Sequence, residues 1–556
     1  MSTDKAHNRV HSGAAEGERS TVGSEQVEER IVARTWLFAR LQRALKLACA
    51  ADSCGSPPVA EIVGLSREAR LSRRRFLQAT GGVAALAAAS RAPAWAQPRL
   101  PRQGGKPRIA IVGAGIAGLN AANRLRRSGF DATLYEAAER IGGRMFTAHN
   151  VMGEGLATEL GGEFIDSIHK DMLALVDQFG LSLIDDQAES EKGLIGDGFR
   201  FNGRFFSEEE VVEAFRPAAR RIKRDLREAG YINFRDSSPA GRRLDRTSIR
   251  EYLEQIGVDG FLRELLDVAY LTEYGLETDE QSSLNLIYLI GTDTSGGFDV
   301  FGVSDERYRV LGGNQQIVER LADAVADQIR LGHRLVAIRE HGRTPRLSFE
   351  TKGGPVEVEA DYVLLTLPFT LLREVEIRAE LPAWKRRAID ELGYGTNAKL
   401  LIGFQNRIWR DLGYQGGLFS DENYQSTWDN SAGQPPVEGG LTVYTGGRRG
   451  IEIGEGTVEE QVESVVPAID EAFPGASAAR NGRAARMHWP THPFTKASYA
   501  CWKVGQVSTI AGAEIEPVGR LYFAGEHCSY NFQGYMNGAA ETGRKAARAI
   551  LQRVRG

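Results

Sequence analysis

The sequence predicts an α/β fold in two intertwined domains, and three observations predict it. At Ile109-Ala110-Ile111-Val112 an apolar strand runs straight into a glycine turn and then a helix. Near the other end, Leu521-Tyr522-Phe523-Ala524-Gly525-Glu526 is a second apolar strand ending in Gly-Glu, followed by the glycine- and alanine-rich helix start Gly534–Gly543. Between them, residues 184–305 are charged and helix-like, with apolar residues at helical spacing over Tyr252–Glu273. Residues 381–489 mix a helix start with alternating strands such as Lys399–Phe404.

The first motif carries chemistry. Gly113, Gly115 and Gly118 form GxGxxG: Gly113 permits the tight turn, Gly115 lets the backbone approach a pyrophosphate, and Gly118 lets helix and strand pack closely. Phosphate sits on the helix N-terminus, where free N–H groups and the dipole favour negative charge. The next strand, Ala132–Tyr135, ends at Glu136, a carboxylate placed to accept hydrogen bonds from ribose hydroxyls and to disfavour a 2′-phosphate. Strand, turn, helix, strand and acid in this order are a Rossmann-like dinucleotide-binding unit.

Length and charge narrow the class. A chain of 556 residues with 42% hydrophobic content buries more than one core. Lys+Arg 69 nearly cancels Asp+Glu 73, so no global field suits nucleic acid. The four cysteines, Cys49, Cys54, Cys501 and Cys528, are too few for a disulfide framework and lack the spacing of a zinc site, so no metal is expected.

Residues 1–96 read as an N-terminal extension and a twin-arginine signal peptide. Ser72-Arg73-Arg74-Arg75-Phe76-Leu77 is followed by the apolar run Thr80–Ala89 and the small-x-small site Ala94-Trp95-Ala96. The run is shorter than the roughly 20 residues a membrane-spanning helix needs. Export by the twin-arginine machinery to the periplasm, or secretion, is the expectation. The stretch before the arginines is far longer than an ordinary basic region, which leaves the true start site open. A basic helix start before an alanine-rich helix is the alternative.

The segment after Glu136 continues Arg140-Ile141-Gly142-Gly143-Arg144-Met145 and Glu159-Leu160-Gly161-Gly162. With these motifs and the C-terminal Gly525-Glu526 and Gly534-Tyr535-Met536-Asn537-Gly538, the chain resembles the flavin amine oxidase family, which includes monoamine oxidases, polyamine oxidases and L-amino-acid oxidases. The resemblance covers residues 106–556, most specifically at the two ends. It implies a discontinuous Rossmann-like FAD-binding domain over 106–183, 306–380 and 490–556, and an α+β substrate-binding domain over 184–305 and 381–489. It implies that Gly143 passes close to FAD, that Arg144 offers a planar donor fork to the pyrophosphate, that Glu526 meets the ribityl chain, and that Val336 in His333-Arg334-Leu335-Val336 contacts the adenine.

The family oxidises amines by hydride transfer from the amine-bearing carbon to flavin N5, so positioning dominates. It implies a cage of two aromatic rings, assigned here to Tyr499 and Tyr535, and a lysine that holds a water beside N5, assigned to Lys399. A lysine on an alternating apolar strand is unexpected unless it is paired or on the exposed face. Mammalian monoamine oxidases carry a flavin-linked cysteine just before the first cage tyrosine; Ser498 stands there, so FAD is expected to be non-covalent. Where several L-amino-acid oxidases place an arginine for the substrate carboxylate, this chain has Glu163-Phe164-Ile165-Asp166. Glu163 and Asp166 would suit a cationic tail, as in basic amino acids or diamines, although Arg448 or Arg449 remain candidates for a carboxylate. Trp489 matches a tryptophan near the flavin.

The expectation is therefore an oxidase that turns a small amine or amino acid into an imine, with O2 reduced to H2O2. A quinone- or carrier-linked dehydrogenase differs only in the electron acceptor. An FAD-dependent desaturase shares the N-terminal motif but not the C-terminal tyrosine, and a non-enzymatic FAD-binding protein is a further alternative. Oligomeric state is not readable, a homodimer being one option.

Overall fold

The computed structural model describes residues 106–289, 305–341 and 344–555. The twin-arginine segment, Cys49 and Cys54 lie outside the described residues.

The first unit is a parallel sheet of five strands. These are β1 (Ile109–Val112), β2 (Thr133–Tyr135), β3 (Ile329–Arg330), β4 (Tyr362–Leu365) and β5 (Leu521–Phe523), in the spatial order β5-β4-β1-β2-β3. β1 is buried along its whole length, as expected of a strand covered on both faces. Helix α1 (Ile116–Arg127) follows it and buries Ile116, Leu119 and Leu125. A Cβ on Gly118 would lie 2.0 Å from the Gly113 carbonyl oxygen, so only glycine allows α1 to start this close to the turn. Helix α2 (Met536–Arg555) packs on α1, with Asn120 Nδ2 donating to the Ala540 carbonyl at 2.8 Å. Segments far apart in the sequence thus form one layer.

Strands at Arg334–His341, Thr344–Thr351 and Gly354–Glu359 form an antiparallel meander, extended in parallel by Glu376–Arg378. Val336 is the extra residue of a bulge there, since Leu335 pairs with Phe349 and Ala337 with Ser348.

The largest sheet has seven strands, drawn from residues 195–206 and 398–488. In its interior, the strand Ala398–Phe404 is buried at every position, so it does not alternate between core and solvent. One face, with Leu400, Ile402 and Phe404, packs with Val462, Val465 and Ile469 of the helix Val458–Ala472. Leu401 on the other face packs with Met152 and Leu156. Lys399 shares that second face, so it points inward and not to solvent. Helices between Glu208 and Leu289 complete the second core. Among the described residues, no helix is long and apolar enough to cross a membrane.

Candidate active site

A cavity of about 370 Å³ lies between the parallel sheet and the seven-stranded sheet. The glycine turn, Glu136, the Gly142–Arg144 loop, Gly161–Phe164, Lys399, Trp428, Tyr444, Trp489, Ser498, Tyr499 and the Gly525–Glu526 and Gly534–Met536 segments all line it.

One half is shaped for a dinucleotide. Gly113 has φ +106°, open to glycine, and a Cβ on Gly115 would meet nothing within 4 Å, so the backbone presents bare space at the helix start. The N-terminus of α1 has no side-chain cap and no acid in its first turn, leaving its N–H groups facing the cavity for an anion. Glu136 accepts from the N–H of Ala114 at 2.7 Å and of Ala138 at 2.9 Å. Burial pushes its carboxyl above the usual carboxylate range, and those two N–H groups pull it partly back. The Gly142–Gly143 loop packs onto the glycine turn, Gly142 N donating to Ala114 O at 2.8 Å.

Arg144 Nη1 donates to Glu526 Oε1 at 2.9 Å and to the Ser498 carbonyl at 2.6 Å. Glu526 also accepts from Gly534 N at 2.8 Å. A residue near the start of the fold is thereby tied to two motifs near its end, and both charged groups stay on the cavity wall. Gly118 and Val336 do not line the cavity. Gly118 serves helix packing, whereas Val336 is set aside by the bulge, and Arg334 and Leu335 stand on the wall in its place.

The other half is aromatic. Tyr499 and Tyr535 both reach the wall. Tyr499 Oη donates to the Thr272 carbonyl at 3.2 Å, which makes Tyr444 the donor in the 2.8 Å contact between the two hydroxyls. Tyr444 in turn packs against Trp428 with ring centres 5.2 Å apart, and Trp428 against Phe164 at 5.8 Å. Tyr535 lies edge-on to His169 at 5.0 Å. Burial lowers the His169 pKa to about 3, so this neighbour is a neutral ring at ordinary pH. Trp489 lines the cavity and donates Nε1–H to the Leu160 carbonyl at 3.2 Å, holding the loop before Gly161.

Lys399 is 4% exposed. Its ammonium donates to the Glu159 and Gly161 carbonyls at 3.0 and 2.9 Å and to Glu163 Oε2 at 2.8 Å. Glu163 lies on the wall but is engaged by Lys399 and faces Arg309 at 3.8 Å. Asp166 is fully buried off the cavity, accepting from Glu306 N at 3.0 Å beside His169. Neither acid is free to read a substrate tail, which corrects that expectation. Arg448 and Arg449 do not line the cavity either. Sequence reasoning missed Phe164, Trp428, Tyr444, His169 and Arg309, which carry no motif of their own.

The fold and the cavity define a flavoprotein oxidoreductase whose aromatic half joins Trp428 and Tyr444 of the seven-stranded sheet to Tyr499 and Tyr535 of the loops that follow it. The sequence pattern of the flavin-containing amine oxidoreductases matches residues 116–551, and the chain belongs to that family. FAD is therefore its cofactor and amines its substrates. The chain is 23% identical over 469 residues to an amine oxidase [flavin-containing] of Oncorhynchus mykiss, covering 80% of this chain and 85% of that protein. It is 24% identical over 461 residues to an L-amino acid dehydrogenase of Synechocystis sp., covering 79% and 94%. Among solved structures, the cyclohexylamine oxidase of Brevibacterium oxydans IH-35A superposes with a TM-score of 0.71 at 22% identity, covering 81% of this chain and all of that one (100%).

Proposed function

We propose that the protein oxidises the carbon–nitrogen bond of a small amine at the aromatic half of the cavity, with O2 as acceptor. Bound FAD supplies hydride acceptance at N5. The observation that carries the reading is that Tyr499, Tyr535 and Lys399 line one cavity with the Gly-Glu and glycine-turn motifs. Tyr499 and Tyr535 orient the amine-bearing carbon, and the surrounding rings of Phe164, Trp428 and Tyr444 exclude water. Of the acids on the lining, Asp186 is clamped by Arg309 and Glu191 by Arg410, so neither presents an unbalanced charge. The small-amine reading therefore rests on the aromatic surround, and the substrate panel separates neutral amines from diamines and basic amino acids. The test is anaerobic mixing with a panel of amines and L-amino acids while following flavin bleaching. Bleaching by amines is expected, and none by any member of the panel overturns the reading. A dehydrogenase working with a quinone would bleach equally but reoxidise slowly in oxygen.

The FAD is held without a covalent bond. Ser498 donates its hydroxyl to Asn397 Oδ1 at 2.7 Å, and the buried thiols of Cys501 and Cys528 are not among the cavity-lining residues. Acid precipitation is expected to release all the flavin into the supernatant; colour retained by a washed pellet contradicts this.

Lys399→Met keeps chain length and removes the ammonium. It is expected to slow the oxygen half-reaction more than anaerobic reduction, because a nearby cation stabilises charge developing on oxygen. Stopped-flow rates for both halves decide it, and equal slowing assigns Lys399 to substrate positioning. The arginine pair in Arg73–Arg75 supports export as a folded protein, with the machinery and a periplasmic destination to be tested by fractionation.

A further inference from the structure

We infer that Glu163 is a positioning residue that sets the charge of the cavity wall through Lys399; this rests on the flavin–amine reading of the cavity. A lysine ammonium has three N–H donors and no acceptor. All three of Lys399's donors are taken, two by the fixed backbone carbonyls of Glu159 and Gly161 and one by Glu163. Of the three acceptors, only Glu163 sits on rotatable side-chain bonds. It is therefore the one that can yield when Lys399 turns to a water or a ligand in the cavity. Its second oxygen, Oε1, is buried and accepts no hydrogen bond, while Arg309 Nη1 stands 3.8 Å away.

Arg309 cannot follow Lys399. Its Nε and Nη2 clamp both oxygens of Asp186 at 2.9 and 2.8 Å, and Nη1 donates to the Asn430 carbonyl at 2.6 Å. Lys399, Glu163, Arg309 and Asp186 form a chain of alternating sign that sums to zero. Glu163 faces a cation on each side and is the member whose loss leaves both unbalanced. Screening is weak in so buried a place, so one unit of charge here is felt across the cavity. The Trp428 ring, 5.2 Å from the Lys399 ammonium, adds a second, non-titrating hold on that cation.

Signs then follow from counting charges. Glu163→Gln leaves the wall with one extra positive charge, which favours electrons in the bound flavin and raises its midpoint potential. Lys399→Met leaves one extra negative charge and lowers it. The double variant E163Q/K399M removes one of each and returns the potential toward the wild-type value, a coupling between the two sites. A residue that only supported the fold would not reverse sign between the single variants or be rescued in the double. The experiment measures the FAD midpoint potential of the four proteins by dye equilibration, with bound FAD and amine bleaching checked on the same samples. The expected result is a positive shift in E163Q, a negative shift in K399M and a smaller shift in the double than in either single variant. No shift, or shifts of the same sign, overturns the inference. Should E163Q fail to fold, the K399M potential alone still decides, because an unchanged or raised value contradicts it. Wild-type protein that no amine bleaches overturns the underlying reading instead, so the two failures are distinguishable.

Discussion

Tyr499→Ala is expected to slow anaerobic reduction by a good amine by about 100-fold while FAD content stays near normal. The size follows from positioning, since misplacing a reacting atom by about 1 Å costs on the order of 10²-fold. The Tyr499 ring is held by its own hydroxyl, which donates to Thr272 O and accepts from Tyr444, so its orientation is fixed before substrate arrives. Removing it opens the aromatic half but leaves the glycine turn, Glu136 and the Arg144–Glu526 pair untouched. Tyr499→Phe keeps the ring and loses the hydroxyl's contacts to Thr272 and Tyr444, and it is expected to fall between wild type and alanine. Rapid-mixing reduction rates together with the flavin-to-protein absorbance ratio check this. Wild-type rates in the alanine variant, or loss of FAD without a change in the rate per bound flavin, would remove Tyr499 from the site.

Glu526→Ala is expected to have the largest effect on cofactor retention, with stability falling by about 3 kcal/mol, the cost of breaking a buried ion pair by removing one partner. Arg144 would lose its carboxylate, and the N–H of Gly534 would lose its acceptor. Both contacts hold the C-terminal motif against the cavity, so the protein should purify largely without flavin. Glu526→Gln preserves an oxygen for Gly534 and is expected to retain more FAD than the alanine variant. Urea denaturation and flavin content measure the two effects. A variant that is fully loaded and as stable as wild type would show that the Arg144–Glu526 contact is dispensable.

What was legible in the sequence is what the backbone itself demands. Gly113 and Gly118 are glycines because of a positive φ and a 2.0 Å approach, and such constraints write themselves into local sequence. Tyr499, Tyr535 and Lys399, each picked out by a short motif, all line the cavity. That Val336 stands off the cavity lining could not be read, because a bulge changes which side chain faces inward without changing the apolar pattern. Asp166 went astray because adjacency to Glu163 in sequence says nothing about facing the same space: Ile165 N pairs with Tyr308 O and turns Asp166 into the core. Lys399 could not be assigned to a face, because a strand covered on both sides carries no alternation to read. The partners of Lys399 and the rings of Trp428 and Tyr444 were out of reach for a related reason. They come from separate strands and loops that meet only in the folded sheet, and no spacing along the chain records that meeting.

The packing of α1 against α2 has a temporal consequence. During synthesis the glycine turn emerges well before α2 and the Gly525–Met536 stretch that close the opposite side. A nascent chain that has not yet reached Leu521 lacks a strand of the parallel sheet, the partner of Arg144 and the helix that seats on α1. The cavity therefore reaches its full lining only after the Gly525–Met536 stretch has been made.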